Sequence, residues 1–139
     1  MEQKQRYTLG KKDKLKSRKG IEQLFTKGKS FSVFPFRLLY LQTSASSLTK
    51  NNLQTAFSVS KKHFKKAVDR NRIKRLMREA WRLQKNILAD KIIAADKNYA
   101  VFIIYTGNEL PVYELIFEKI TAVIKRLLKI INETTVTNT

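Results

Sequence analysis

Between Ser60 and Leu83 the chain reads SKKHFKKAVDRNRIKRLMREAWRL, the most basic stretch of a very basic protein. The chemistry such residues can do is anion binding. An Arg guanidinium offers a planar fork that bridges two phosphate oxygens, a Lys ammonium acts as a point charge, and an Asn amide bonds sugar or phosphate oxygens. Catalysis by the protein itself is poorly supplied. There is no Cys, His63 is the single histidine, and no P-loop, HExxH or GxSxG pattern occurs. Acidic residues are scattered, whereas a protein-only nuclease needs clustered carboxylates to hold metal ions. No catalytic residue and no metal ligand is therefore assigned to the chain.

The cationic residues need an element to hold them, and the spacing predicts a helix over Ala67 to Ile87. Wound at the helical period, Ile73, Leu76, Met77, Ala80 and Leu83 fall on one face. Arg70, Asn71, Lys74, Arg75, Arg78, Arg82 and Lys85 fall on the other. Only Glu79 interrupts them, whereas an ordinary solvated face mixes Glu with Lys at i, i+4. Such a stripe repels itself, so an anionic partner is expected to compensate for it. Asp69 sits in the first turn, where negative charge suits the helix dipole. Trp81 lies at the edge of the apolar stripe and reads as packing. Lys61 to Lys66 reads as the turn leading into the helix.

Composition agrees. The chain has 139 residues, 29 basic and 11 acidic, for a net charge of +18 with 42% apolar residues. That is a folded domain with a large positive field, not a basic tail, and nucleic acid is the partner such a field suits best. Without Cys there is no disulfide framework and no thiolate metal site. No run is apolar enough to span a bilayer, and the N-terminus lacks a secretory h-region, so a cytoplasmic location is expected.

The remaining elements follow in order. Residues 1–16 read as a basic, flexible arm, 17–131 as a single domain and 132–139 as a polar tail. A short helix is expected from an N-cap at Ser17 to Lys27, with Ile21, Leu24 and Phe25 at helical spacing and Gly28 as its stop. Strands are expected over Val33–Gln42 and Leu53–Ser60, paired as an antiparallel hairpin across a polar loop at Thr43–Asn52. A polar link, Ala89 to Asn98, leads to YAVFIIY at Tyr99–Tyr105, apolar on both parities and so a central strand. Pro111 opens a last helix running to about Ile131, with Ile116, Ile120, Val123, Ile124, Leu127 and Ile131 as its buried stripe. The order helix, strand, strand, helix, strand, helix makes an α+β domain, a small mixed sheet with helices packed on it.

The run VSKKHFKKAVDRNRIKRLMREAWRL closely resembles the signature of the bacterial ribonuclease P protein subunit. Its core is Arg70, Asn71 and Arg72, followed by Ile73, Lys74, Arg75, Leu76 and Arg78, with Ser60, Lys61 and Lys62 ahead of it. Upstream, KGIEQLFTKGKSF resembles the family's first helix and loop, and FRLLY and YAVFIIY match its strands. The likeness covers roughly Leu15 to Leu128. Many members carry Gly in the turn where this chain has Lys65.

The resemblance implies a fold like the second domain of ribosomal protein S5, a two-layer α/β sandwich with a left-handed βαβ crossover. It implies a protein subunit that assists an RNA catalyst in removing the 5′ leader from precursor tRNA, an endonucleolytic tRNA-processing step. The RNA partner uses Mg2+, and the protein holds no firmly bound cofactor and needs no protein partner. By the same resemblance, Lys61, Lys62, Lys66, Arg70, Asn71, Arg72, Lys74, Arg75 and Arg78 face RNA, and Ile21, Phe25, Leu38 and Tyr40 line a cleft for the leader. Phe25 and Tyr40 could equally be core residues. Two other functions compete: a ribosomal or chaperone RNA-binding protein on a similar fold, and a stand-alone metal-dependent nuclease.

Overall fold

The computed structural model describes residues 18–43 and 53–137. The arm at 1–16, the Ser17 cap and most of the loop expected at Thr43–Asn52 lie outside them. Helix α1 (Arg18–Lys27) leads into strands β1 (Lys29–Val33), β2 (Phe36–Thr43) and β3 (Leu53–Val59). Helix α2 (Ala67–Ala94), strand β4 (Asn98–Tyr105) and helix α3 (Tyr113–Thr137) complete the chain. The fold is α+β, with a four-stranded mixed sheet in the order β1-β2-β4-β3.

β4 is the central strand its two-sided apolar pattern predicts. It runs antiparallel to β2 and parallel to β3. The expected β2–β3 hairpin is therefore not formed, because β4 lies between them. A parallel neighbour needs a long crossover, and α2 supplies it between β3 and β4. β2 pairs instead with β1, a strand the sequence pattern does not reveal. KSFSV is short and largely exposed, so it carries little apolar alternation. A cis Phe34–Pro35 bond lies in the turn between them. The Pro35 carbonyl accepts bonds from the Thr106 backbone N–H (2.7 Å) and the Thr106 hydroxyl (3.0 Å), tying that turn to the end of β4.

Strand alternation sorts side chains onto two faces. Phe36, Leu38, Tyr99, Val101, Ile103 and Tyr105 point into the main core with α2 and α3. Leu39, Leu41, Ala100, Phe102 and Ile104 point to the other face, where α1 lays down Ile21 and Leu24. α1 stops at Gly28, as expected, and sterics require glycine at that position. A Cβ there would collide with the Leu24 carbonyl oxygen and stand 3.1 Å from that of Tyr40.

All six residues of the expected α3 stripe are buried. α3 nevertheless continues past Ile131 to Thr137, through the first part of the expected tail, and it starts two residues after Pro111. α2 also runs seven residues past Ile87, because Leu88 and Ile92 extend its buried stripe by whole turns into the segment expected to be a polar link. It closes at Asp96, whose φ of 58° is left-handed, with the Lys97 N–H bonding the Ile92 carbonyl at 3.1 Å. Trp81 is fully buried against Phe57, not at an edge, while Leu83 is 43% exposed. The buried stripe of α2 is thus rotated towards Trp81.

Leu38 is inaccessible to solvent. We expect Leu38→Ala to cost about 2–5 kcal/mol of folding stability. Leu83→Ala should cost about 1 kcal/mol or less. Urea unfolding followed by the fluorescence of Trp81 would check both.

Candidate nucleic-acid interface

The cationic stretch is built from the end of β3 into the first three turns of α2. Lys61, Lys62, His63, Lys65 and Lys66 are all exposed in the connecting turn, whose Phe64 alone is buried. Lys65 stands where many family members carry Gly. Among the described residues the only non-glycine with positive φ is Asp96, so Lys65 needs no left-handed backbone. Phe64 anchors the turn against Tyr105, with ring centroids 6.1 Å apart.

Arg70 has a task beyond charge. Its Nη1 donates to the backbone carbonyls of Phe64 and Lys65, both at 2.8 Å. The guanidinium closes the turn onto the helix it precedes. Lys66, at the N-cap, makes no side-chain cap bond, so this brace is what fixes the helix start. Asn71, Arg72, Arg75 and Arg78 are exposed and Lys74 is half-buried. At 100° per residue Asn71, Arg75 and Arg78 lie away from the flank where Leu83 and Ile87 line a groove with α3. Glu79, the one acid among them, is bound by Arg82 through both nitrogens Nε (3.2 Å) and Nη2 (2.5 Å). This pair raises the Arg82 pKa, chiefly through the hydrogen bonds to Glu79. The carboxylate is thereby directed to Arg82 and not to the arginines nearer the N-terminus.

The four expected cleft residues do not share a cleft. Ile21 and Phe25 lie on α1, on one side of the sheet, and Leu38 and Tyr40 point to the other. Leu38 is core, and Tyr40 is half-buried beside Phe31 and Arg126 of α3. The correction follows from strand parity, since β2 residues one apart face opposite ways. On the α1 side, Phe25 is 58% exposed and meets Phe102 edge-on, with centroids 5.5 Å apart. Next to this pair, cross-strand register places Arg37 beside Ile104 and Ile104 beside Ser58. Arg37 is exposed, and Phe102 and Ile104 are only half covered by α1. Arg37, Phe102 and Ile104 share this face, and the sequence reading did not single them out. Their signal was the second parity of FRLLYLQ and YAVFIIY. Among the described residues no three His, Asp or Glu side chains gather into a metal-binding group.

A family model described as Ribonuclease P matches residues 9–131. The chain belongs to the ribonuclease P protein family. The ribonuclease P protein component of Porphyromonas gingivalis strain W83 is 36% identical over 105 residues, covering 76% of this chain and 75% of its own. That of Chlorobium phaeobacteroides is 33% identical over 122 residues, covering 82% and 84%. Two solved ribonuclease P proteins share the fold. That of Staphylococcus aureus gives a TM-score of 0.63 at 21% identity, covering 81% of this chain and 93% of the other. That of Thermotoga maritima gives 0.61 at 23%, covering 81% and 96%.

Arg70 and Arg75 should separate by experiment. Arg70→Ala removes two charge-assisted bonds and is expected to lower stability by about 1–3 kcal/mol. Arg75→Ala should stay within about 0.5 kcal/mol of the parent chain. Equal losses in urea titrations would show that Arg70 does not brace the turn.

Proposed function

We propose that the chain binds the catalytic RNA of ribonuclease P through the exposed flank of α2, and the 5′ leader of precursor tRNA through the open sheet face beside α1. In this role it assists RNA- and Mg2+-dependent endonucleolytic removal of the leader, in the cytoplasm. The observation that carries the reading is the row Lys61, Lys62, Lys66, Asn71, Arg72, Arg75 and Arg78. These side chains are exposed on a turn and a helix that the core holds rigid, and the neighbouring acid is engaged by Arg82. Arg forks bridge phosphates, and a fixed helix gives them one register on an RNA backbone. Lys74 adds charge, and Arg70 holds the turn.

The leader site in this proposal keeps Ile21 and Phe25 and replaces Leu38 and Tyr40 with Phe102, Ile104 and Arg37. Phe25 and Phe102 supply ring surfaces for unpaired bases, each stacking worth about 1–3 kcal/mol, and Arg37 supplies a cation for the backbone. The metal belongs to the RNA in this reading, and no residue of the chain is assigned to hold it. Among the described residues no helix is long and apolar enough to cross a membrane.

The test is single-turnover cleavage of precursor tRNA at low Mg2+, with the cognate RNA alone and then with the protein. Cleavage at the mature 5′ end should appear only with both. No change on adding protein, where the RNA is competent at high Mg2+, would favour a ribosomal or chaperone role. Cleavage by RNA-free protein would favour a stand-alone nuclease. In the same assay Phe25→Ala should weaken precursor binding by about fivefold or more while leaving mature tRNA binding unchanged.

A further inference from the structure

Tyr40 has left the leader cleft, but it has not gone into an inert core. It lines a pocket of about 410 Å³ with Ser30, Phe31, Arg126, Lys129 and Glu133, where β1 meets α3. That size lies within the range of small-ligand pockets, about 300–1,000 Å³. Its lining joins the rings of Phe31 and Tyr40 to two cations, Arg126 and Lys129, with one carboxylate, Glu133, also on α3. The Arg126 guanidinium lies 4.7 Å from the centroid of the Phe31 ring, and that ring lies 6.0 Å from the ring of Tyr40. Arg126 and Lys129 are both exposed, one turn apart on α3. Lys29 is exposed too, pairs across strands with Tyr40 and shares the β1 face of Phe31. Burial raises the Tyr40 pKa and the charge of Arg126 opposes the rise, so the phenol stays protonated and can donate a hydrogen bond.

The pocket is remote from the cationic row. β1 and β3 are the two edges of the sheet. α3 meets β1, whereas α2 packs on β3 through Trp81 and Phe57. A second group of cations, joined to ring surface, therefore stands at the opposite edge. Guanidinium and ammonium groups suit a phosphodiester, and an adjacent tyrosine suits a base face or edge. A free phosphate would use the cations and the Tyr40 hydroxyl but would gain nothing from the ring surfaces, which only a base can stack on.

We propose that this pocket between β1 and α3 is a second RNA site, which takes one nucleotide of an unpaired strand, with its phosphate on Arg126 and Lys129 and its base against Tyr40. The inference rests on the RNA-binding reading above, and extends it to a surface outside both α2 and the leader face. RNA held at α2 and at this pocket would contact both edges of the sheet.

The test uses the full chain, labelled with 15N, and a five-nucleotide oligouridylate as the probe. Saturable amide shifts are expected at Phe31, Tyr40 and Arg126, and inorganic phosphate at the same concentration should not reproduce them. The Arg126→Ala/Lys129→Ala double variant alters two exposed side chains and so keeps the core. It should raise the midpoint of these shifts at least about tenfold and leave shifts on α2 in place. Tyr40→Leu should raise the midpoint by about fivefold or more. Shifts confined to α2 and the α1 side, a double variant that binds as the parent does, or an equal response to inorganic phosphate would each overturn the proposal. If any of these occurs while catalytic RNA still assembles on α2, the second site falls and the proposed function stands.

Discussion

The rotation of α2 about its own axis is the constraint on which the rest depends. Ile73, Met77, Ala80, Trp81, Leu88 and Ile92 are buried along it, and all but Ile92 have no accessible surface at all. These side chains can meet β3, β4 and α3 in only one azimuth. Arg72, Arg75 and Arg78 are carried outward by the same rotation, without any contact that selects them individually. The Arg70 brace fixes the other variable, where the helix begins. A cationic row placed in this way is presented in one geometry, so little ordering remains when a polyanion docks.

The sheet imposes a second division. Its α2–α3 face is closed and makes the main core, while α1 covers only part of the other. The half-covered residues Phe102 and Ile104 are left there because one short helix cannot span four strands. This incomplete cover gives the sheet a surface that can serve binding. The same parity that buries Leu38 turns Leu39 to the α1 side, and it sends Tyr40 towards α3.

The parts of the fold legible in the sequence were those with long, strongly periodic patterns. The α3 stripe, the start of α2, the central place of β4 and the Gly28 stop were all readable. Strand order was not, because pairing depends on contacts across the chain. Nothing local to LQTAFSV or FRLLYLQT says that YAVFIIY will come between them. β1 was hidden by its polar residues, and the length of α2 by the charged Asp90 and Lys91, which lie on its exposed side. The exposed cations of the α2 row could be read as a set because they are close together in sequence. The cleft residues could not, since choosing between Leu38 and Leu39 requires knowing which face of β2 each helix covers. The structural task of Arg70 was also unreadable, as it depends on the path of the turn.

The most direct test of the central claim is the salt dependence of assembly with the catalytic RNA. The parent chain and an Arg72→Ala/Arg75→Ala/Arg78→Ala variant would be compared. If about five phosphates are neutralised, log affinity should fall against log salt with a slope of roughly −4. The triple variant should flatten that slope by about 2 to 3 and bind more weakly at low salt. A slope near zero for the parent, or one unchanged in the variant, would contradict α2 as the RNA-binding element.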